Sequence, residues 1–442
     1  MKTMDTQPHN DPIIVGLDIG TTKIVAMVGR LNEHGKLEIL GYGKADSIGV
    51  QRGVVTHIPQ TTDAILKAVQ EAERVSGVEI KSVITGIAGQ HIRSYQHRGI
   101  LTRPNPDEEI TQKDIDTLIE NMYRLAMPPG EEIIHVLPQE YVVDTTQGVY
   151  NPIGMLGSQI EANFHIVTGH VSAARNISRC ITNAGLTQAQ LILEPIASAE
   201  AVLHPDEKEA GVALIDIGGG TTDIAIFHES RIRHTAVIPL GGNIITEDIR
   251  AGCNIIRDYA ERLKVQHGSA LALENLSNKV VTIPGLHGRP PREISLRTLA
   301  GIIQARMEEI LEYVMFEIKQ SGFENKLSMG MVLTGGGALL KNIRQLAEYV
   351  TGMEVRIGSP REHLANSPFN DKVANPVFAT SIGLVMMGLE EVVGRQKLMA
   401  QEQSQLRRHE PPATHSHKQG GRFFEILRGI GREFFGSDEP QS

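Results

Sequence analysis

The sequence predicts an α/β protein made of two similar lobes, and three glycine turns carry this prediction. The first turn reads Asp-Ile-Gly-Thr-Thr from Asp18, and the second reads Asp-Ile-Gly-Gly-Gly-Thr-Thr from Asp216. Each turn lies between aliphatic runs that are typical of buried β-strands. The two aspartates are about 200 residues apart, a distance that indicates two related domains rather than a solenoid. A third glycine turn, at 335–337, also follows an aliphatic run.

The elements around the first two turns follow the same order. Aliphatic runs predict three strands in each copy: 13–19, 23–30 and 37–44, then 212–217, 222–228 and 231–238. A helix is predicted after each set, over about 59–76 and about 243–251. Pro59 and Gly77 suit the two ends of the first of these helices. A strand over 331–333 leads into the third turn, and a helix is predicted from about Ala338.

Composition limits the classes of function. The chain has 442 residues, 40% of them apolar and 21% charged, which is typical of a globular protein with two to four domains. The net charge of −9 and the absence of Trp give no support for nucleic-acid binding. Cys180 and Cys253 have no CxxC spacing, so reduced, buried thiols are expected. We find no signal-peptide core near the N-terminus and no run of 18 apolar residues, so no membrane span is expected.

The repeat divides the chain into segments. Residues 85–167 lie outside the repeat and predict an inserted small α+β domain, with a helix over 111–127 and an extended segment over 131–143. The first lobe is assigned to 13–84, 168–203 and 360–394. The second lobe is assigned to 204–242 and 322–359, with a helix-rich subdomain over 243–321. The remaining segments are a disordered N-terminus (1–12), a flexible linker (395–420) rich in Gln, His and Pro, and an amphipathic helix (421–435).

The glycine turns have the composition of a triphosphate site. Bound phosphates need backbone N–H donors at close range, which glycine permits, and a cation with oxygen ligands. A single turn of this kind is more simply a plain β-hairpin, but two copies in matched contexts favour the site. The expected phosphate-binding residues are Gly20, Thr21, Thr22, Lys23, Gly218, Gly219, Gly220, Thr221 and Thr222. Asp18 and Asp216 end equivalent strands and are expected to hold Mg²⁺ through water, with ATP as the nucleotide.

The third turn extends this site. Gly335, Gly336 and Gly337 stand between a strand and a predicted helix, where a ribose or a flat ring lies against the backbone. The insert lies outside the repeated fold, so we expect it to serve self-assembly or partner binding and not to be needed by the ATP site.

The C-terminal segment 421–435 predicts a reversible membrane anchor. At 100° per residue, one side of the helix carries large apolar residues that include Phe423, Phe424, Leu427, Ile430, Phe434 and Phe435. Arg428 and other charged residues occupy the opposite side, which suits anionic lipid headgroups. The alternative is that this helix docks on the body of the protein.

These motifs resemble those of the actin, sugar-kinase and heat-shock-chaperone superfamily, whose fold is ribonuclease H-like. The two hairpins and the third turn resemble its two phosphate motifs and its adenosine motif. Residues 193–199 and 376–383 resemble its two connecting helices, and small residues there (Ala197, Ala199, Gly383 and Gly388) suit a close crossing. The resemblance implies a two-lobed, actin-like ATPase fold. It also implies that Glu261 and Lys264 face the ribose and adenine.

Within that superfamily the chain resembles the bacterial cell-division FtsA family. The position of the insert, the phrases at 134–141 and 151–155, and the C-terminal amphipathic helix carry this resemblance. It implies an ATP-binding protein that polymerises on the inner face of the cytoplasmic membrane at the division septum. It also implies that the protein anchors FtsZ filaments through the FtsZ C-terminal tail and recruits later division proteins. The tail site is expected in the helix-rich subdomain, 243–321.

Two alternatives stay open at this point. A sugar or acid kinase of the same fold would need a general base beside an acceptor hydroxyl, and Asp223 and Glu194 are the candidates. A scaffold of the MreB or PilM type is the other alternative. We assign no catalytic residue and expect at most slow ATP hydrolysis, because no acceptor pocket is visible in the sequence.

Overall fold

The computed structural model describes residues 12–272, 279–284 and 290–408. The chain divides into two compact units, Met1–Val392 and Val393–Ser442. All of the strands and most of the helices that concern the predicted site belong to the first unit.

The first lobe begins with the elements that the first glycine turn predicts. They are β1 (Ile14–Ile19), β2 (Lys23–Leu31), β3 (Leu37–Asp46), β4 (Val50–Gln51), β5 (Val54–Val55), α1 (Ile58–Ser76) and β6 (Ser82–Ile87). The three strands and the helix lie within two residues of their predicted bounds. Gly77 ends α1 with φ 70°, the left-handed conformation that glycine adopts at little cost. The helix packs its apolar face, including Ile65 and Val69, against the sheet.

The insert forms a small sheet covered by one helix. Its elements are β7 (Arg93–Thr102), α2 (Gln112–Tyr123), β8 (Glu131–Val143), β9 (Thr146–Val149) and β10 (Gln159–His170). The sheet has the order β7-β10-β8-β9 with antiparallel pairing, and Phe164 and Leu118 are buried in its core. Helix α2 stops short of the predicted 127, since Pro128 and Pro129 follow and disfavour helix.

The predicted start of the insert at 85 was a few residues too early. Thr85 lies in β6, whose residues pair with β1 in the first lobe, with Thr85 opposite Leu17. At the other end, β10 continues to His170. The aliphatic run of a buried strand does not reveal to which sheet the strand belongs, so the sequence could not place this boundary.

The chain then returns to the first lobe through α3 (Val171–Asn183), β11 (Thr187–Leu193) and α4 (Glu194–Val202). The completed sheet has the order β3-β2-β1-β6-β11. Strands β1, β2 and β3 are antiparallel neighbours, while β6 runs parallel to both β1 and β11. Cys180 is a buried free thiol in α3.

The second lobe repeats this arrangement. Its elements are α5 (Pro205–Ala210), β12 (Val212–Ile217), β13 (Thr222–His228), β14 (Arg231–Ile238), α6 (Gly242–Cys253), α7 (Arg257–His267), β15 (Val280–Ile283), β16 (Arg292–Ser295), α8 (Leu296–Ser321), β17 (Met331–Thr334), α9 (Ile343–Thr351) and β18 (Val355–Ile357). The sheet order β14-β13-β12-β17-β18 matches that of the first lobe strand for strand, including the antiparallel and parallel pairs. The two similar lobes predicted from the repeated turn are therefore confirmed. Cys253, at the end of α6, is also a free thiol but only half-buried.

Two helices cross between the lobes, as the small residues predict. After α10 (Asn370–Val373), helix α11 (Ala379–Arg408) passes α4 at Gly383. A Cβ at Gly383 would lie 1.7 Å from the carbonyl oxygen of Ala197, so only glycine fits this crossing. Gly388 has a different role from the predicted one, since a Cβ there would meet Ile84 and Ile14 of the first lobe.

By length and composition, Pro376–Gln396 would be able to cross a membrane, and it is the one such helix in the described part of the chain. More than half of its apolar window is buried, at 56%. Ile382 and Val385 are fully buried in an apolar cluster that contains residues of both lobes, and Leu384 is fully buried against the first lobe. These contacts are those of a core helix.

The predicted linker begins inside α11. This helix extends to Arg408, so residues 395–408 are helical rather than a flexible linker. The segment contains Leu, Met, Ala, Gln, Glu and Arg, which favour helix, and no Gly or Pro. The rest of the linker, the predicted membrane helix at 421–435 and the first eleven residues lie outside the described residues.

Candidate functional site

The two glycine hairpins meet at the edge of a cleft of about 500 Å³ that both of them line. Gly219 lies against Thr22, and a Cβ at Gly220 would come within 2.6 Å of the hydroxyl oxygen of Thr21. The Thr21 hydroxyl also accepts a hydrogen bond from the backbone N–H of Gly53 at 3.1 Å. The two hairpin tips are thus in direct contact, one from each lobe.

The cleft brings together nearly all of the predicted site residues. Those that line it are Asp18, Gly20, Thr21, Thr22, Lys23, Glu194, Asp216, Gly218, Gly219, Gly220, Thr221, Asp223, Glu261, Lys264, Gly335, Gly336 and Gly337. The predicted residue Thr222 does not line it. It is fully buried, and its hydroxyl donates to the carbonyl oxygen of Leu240 at 2.9 Å. Successive side chains of a strand point to opposite faces, so Asp223 faces the cleft and Thr222 does not.

Four carboxyl groups converge at the floor of the cleft. Asp18 and Asp216 lie one residue before the ends of β1 and β12, Asp223 lies on β13 and Glu194 begins α4. The three aspartates are between 4% and 8% exposed. The group thus draws carboxylates from both lobes, as the matched hairpins predict.

Burial raises the pKa of each of these groups, and repulsion between neighbouring carboxylates adds to the rise for Asp18, Asp223 and Glu194. Burial raises the pKa of Asp18, an effect that Lys23 opposes and Asp216 increases. The pKa of Asp223 rises to about 8 because of burial and, secondarily, the nearby charge of Asp216. Burial first, and then repulsion by Asp18, Asp223 and Asp216, raises the pKa of Glu194 well above its usual range. Lys23 opposes the rise at Asp18, Glu194 and Asp216 but does not cancel it, so burial favours the protonated forms of these carboxyl groups.

Asp216 is held by both crossing helices. Its Oδ2 accepts hydrogen bonds from the hydroxyl of Ser198 on α4 at 2.7 Å and from that of Thr380 on α11 at 3.3 Å. These bonds and the charge of Lys23 favour the ionised form and oppose the larger effect of burial, which raises the pKa of Asp216. Ser198 and Thr380 were not predicted as site residues. The only signal for them was a hydroxyl among the small residues of each helix.

The carboxylates fit a magnesium ion that is held largely through water. Oxygen ligands are what Mg²⁺ prefers, and it usually keeps several waters beside a nucleotide. Oδ1 of Asp223 is buried and has no hydrogen-bond partner in the protein, so it has a free lone pair on the cleft side of β13. Within residues 12–272, 279–284 and 290–408, no three His, Cys, Asp or Glu side chains are close enough to hold a metal directly. Waters and phosphates would complete the coordination.

The third turn lies against the same carboxylates. Gly335 has φ 79°, and a Cβ there would be 2.2 Å from Oδ1 of Asp216. For both reasons, this position accepts only glycine. The segment Gly336–Leu339 forms a short 3-10 turn, and the α-helix predicted from about Ala338 begins only at Ile343. Asn342 just before it has φ 61°, which excludes a continuous helix from Ala338.

Glu261 and Lys264 line the far end of the cleft, but they are tied to the neighbouring helix. Nζ of Lys264 donates to the carbonyl oxygen of Gly242 and to the hydroxyl of Thr246, each at 2.8 Å. It also forms an ion pair with Glu261 at 2.8 Å. Burial lowers the pKa of Lys264, and Glu261 opposes that shift. The pair thus joins α7 to α6 and closes the wall of the cleft.

Several other residues that line the cleft have no motif of their own. Lys44 and Asp46 come from the end of β3, where Asp46 stands opposite Lys23. Asn243, Lys341, Val265 and Leu339 complete the wall. They come from four different segments, and only the fold brings them together.

Family models match two parts of the chain. The model described as "Cell division protein FtsA" matches residues 213–383, and the model "SHS2 domain inserted in FTSA" matches residues 89–168. The second match coincides with β7 to β10, the sheet of the insert.

Solved structures share the fold at low identity. The PilM–PilN type IV pilus biogenesis complex matches with a TM-score of 0.64 at 16% identity, over 85% of this chain and 98% of that chain. MreB5 of Spiroplasma citri, bound to ADP, matches with a TM-score of 0.51 at 15% identity, over 86% of this chain and 98% of that chain. These likenesses confirm the predicted actin-like fold, and a nucleotide-bound relative shares it.

A curated relative is far more similar in sequence. The cell division protein FtsA of Pseudomonas aeruginosa is 42% identical over 379 residues, which are 86% of this chain and 90% of that protein. The alternatives of a sugar or acid kinase and of a scaffold of the MreB or PilM type are set aside by this match. The chain belongs to the FtsA family of cell division proteins.

Proposed function

We propose that this chain is a nucleotide-dependent scaffold that binds ATP with Mg²⁺ between its two lobes. The observation that carries the proposal is the direct contact of the two glycine hairpins above the shared carboxylate group. A triphosphate in this cleft would touch both lobes at once. Binding would therefore favour the closed arrangement over an open one, because a ligand stabilises the state in which it makes more contacts.

Different residues of the cleft would bind different parts of the ligand. Backbone N–H groups of the turns at 20–22 and 218–221, together with Lys23, would bind the phosphates. Asp18, Asp216 and Asp223 would hold the metal through its waters, and the turn at 335–337 would lie along the adenosine, with Glu261 and Lys264 at the far wall. The metal would supply positive charge that neutralises the phosphates and the carboxylates.

We further propose that ATP turnover is slow. Glu194 and Asp223 are the groups placed to accept a proton from water, since both line the cleft. Burial raises the pKa of both groups, which favours the protonated form that cannot accept a proton, until a cation binds nearby. A site in this state suits a switch that holds ATP better than it suits a rapid hydrolase.

The scaffold would work at the cytoplasmic membrane. We propose that the chain forms filaments on the inner face at the division septum and is held there by 421–435. It would anchor FtsZ filaments through their C-terminal tails, with the helix-rich subdomain that contains α6, α7 and α8 as the docking site. It would also recruit later division proteins through the insert. Support comes from the membership in the FtsA family and from the amphipathic pattern of the C-terminus.

Co-sedimentation with anionic liposomes tests this function. The full chain is mixed with vesicles and purified FtsZ, with and without Mg·ATP. FtsZ is expected to pellet only when the chain is present, and Mg·ATP is expected to increase the amount of chain on the vesicles, because filaments bind by many anchors. FtsZ that stays in the supernatant would contradict the proposal. In a separate steady-state assay, ATP hydrolysis on the order of 1–100 s⁻¹, as in kinases, would contradict the slow turnover.

A further inference from the structure

The insert contacts the structural elements that lead into both sides of the cleft. It is joined to the first lobe by its chain connections and by Ile92 and Val167, which are buried in the first-lobe core. It also packs along β14, the outer strand of the second-lobe sheet. The insert thus contacts both lobes, whereas the sequence led us to expect that the ATP site does not need it.

On the first-lobe side, one histidine of the insert holds the strand end that precedes Glu194. The backbone N–H of Leu193 donates to Nε2 of His135, on β8, at 2.9 Å. Burial lowers the pKa of His135 to about 4, so the ring is neutral and Nε2 has a free lone pair to accept this bond. Leu193 is the residue immediately before α4, and Glu194 opens that helix in the cleft. A shift of β8 would therefore move the start of α4.

On the second-lobe side, polar contacts join the insert to β14. Nε2 of His165 is 3.0 Å from the hydroxyl oxygen of Thr235, and the hydroxyl of Ser94 donates to the carbonyl oxygen of Thr235 at 2.9 Å. Gln139 Nε2 donates to the carbonyl oxygen of Ile232 at 2.9 Å. Thr235, His165 and Gln139 are at most 5% exposed, so water cannot easily replace these bonds.

Strand β14 connects these contacts to the cleft. It pairs with β13 so that Val237 stands opposite Asp223, two residues along from Thr235. The insert is fixed to the first lobe and hydrogen-bonded to the second, so opening of the cleft must shear the contacts at Thr235 or carry the insert along. Either movement changes the insert when the nucleotide changes.

We infer that the insert is coupled to the nucleotide cleft, with His135 as a positioning residue for Glu194 and Thr235 as the joint to the second lobe. This inference rests on the nucleotide site proposed above. Coupling is reciprocal: a ligand that binds one arrangement of the insert alters ATP affinity, and ATP alters the affinity of that ligand by the same factor. The affinity of a partner for the insert would then depend on whether the scaffold holds nucleotide.

Two histidine variants of the full chain test the first contact. His135→Leu removes the acceptor and leaves the N–H of Leu193 unpaired. His135→Gln keeps an acceptor, since Oε1 of Gln is as many bonds from Cβ as Nε2 of His. Titration with a fluorescent ATP analogue and Mg²⁺ is expected to show a loss of about fivefold or more for His135→Leu, the lower end of ordinary coupling. Binding by His135→Gln should stay near that of the unaltered chain. Equal binding by all three chains, or equal loss in both variants, would overturn the role of His135.

Hydrogen exchange tests the second contact without relying on affinity. Amides of β7 and β10 are followed with and without the Mg·ATP analogue in the unaltered chain, in Thr235→Val, and in a control, Thr146→Val, on the exposed edge strand β9. The analogue is expected to slow exchange in the insert of the unaltered chain and of the control, and to have much less effect in Thr235→Val. If exchange in the insert of the unaltered chain does not change when the analogue binds, the coupling is refuted. If the change is the same in Thr235→Val, the role of the Thr235 hydroxyl is refuted. If the unaltered chain does not bind the analogue at all, the proposed nucleotide site itself fails, which the titration reports separately.

Discussion

The hydroxyl of Ser198 donates a hydrogen bond to Oδ2 of Asp216 at 2.7 Å, and so joins a helix of the first lobe to a carboxylate of the second. Both groups are buried, and Thr380 donates to the same oxygen from the other crossing helix. The hinge between the lobes is therefore also the support of the proposed metal site. Any movement of the hinge changes the surroundings of Asp216.

Ser198→Ala is expected to weaken Mg·ATP binding. Removal of the hydroxyl takes away a donor that stabilises the ionised form of Asp216, so the pKa of this carboxyl should rise further. A hydrogen bond to a charged group contributes about 1.5–3 kcal/mol, which corresponds to a loss of affinity of roughly tenfold or more. Titration with a fluorescent ATP analogue measures this loss. Ser178→Ala, in α3 and away from the cleft, is the matched control.

Mg·ATP binding is expected to strengthen as the pH rises toward 8. The pKa of Asp223 is about 8 in the folded chain, against an ordinary value of 3.8, so the proton that the metal must displace becomes easier to remove. Affinity measured from about pH 6 to about pH 9 should rise and then level off. In Asp223→Asn this rise should be smaller. A pH dependence that is the same in both chains would speak against the role of Asp223.

The raised pKa of Asp223 has the opposite effect on the stability of the chain without ligand, which falls as the pH rises. Between 3.8 and about 8, the folded chain retains a proton on Asp223 that the unfolded chain releases. The contribution of Asp223 to the free energy of unfolding therefore falls as the pH rises through this range and is constant above it. Thermal unfolding of Asp223→Asn should accordingly depend less on pH over this range than that of the unaltered chain.

Gly335 and Gly336 are expected to respond differently to alanine. A Cβ at Gly335 would collide with Asp216, and its φ of 79° disfavours other residues, so Gly335→Ala should lose most of its ATP affinity. Gly336 has an ordinary φ and nothing within 4 Å of a Cβ, so Gly336→Ala should bind nearly as the unaltered chain does. Gly336→Glu, by contrast, should block the cleft in a folded protein. Affinity titrations with circular dichroism as a check of folding measure these effects; unchanged affinity in Gly336→Glu would remove the third turn from the site.

The membrane anchor is tested by sequence changes at the C-terminus. Phe423→Glu combined with Leu427→Glu places charge on the apolar side of the predicted helix and should abolish pelleting with anionic vesicles. A chain that ends at Gln419 should behave in the same way. Glu433→Gln, on the polar side, should pellet at least as well as the unaltered chain. If the double variant or the shortened chain still pellets normally, the anchor lies elsewhere.

The sequence predicted what depends on local pattern. The strands, the glycine turns and the lobe duplication follow from short runs of residues, and the structure places them within two residues in the first lobe. Residues such as Ser198, Lys44 and Asp46 reach the cleft from distant segments that have no motif. Thr222 does not line the cleft although its neighbours Thr221 and Asp223 do, because successive side chains of β13 point to opposite faces. The contacts between the insert and β14 also join segments that are far apart in the sequence, and no pattern in the sequence predicts them.

The central claim is that one nucleotide bridges both lobes, and a calorimetric titration of Mg·ATP tests it most directly. Asp18 lies in the first lobe and Asp216 in the second, at the ends of equivalent strands. Titration of the full chain, Asp18→Ala and Asp216→Ala is expected to give one site per chain and a loss of about tenfold or more in each variant. If either variant, folded, binds Mg·ATP as tightly as the unaltered chain, the nucleotide does not bridge the lobes and the account is wrong.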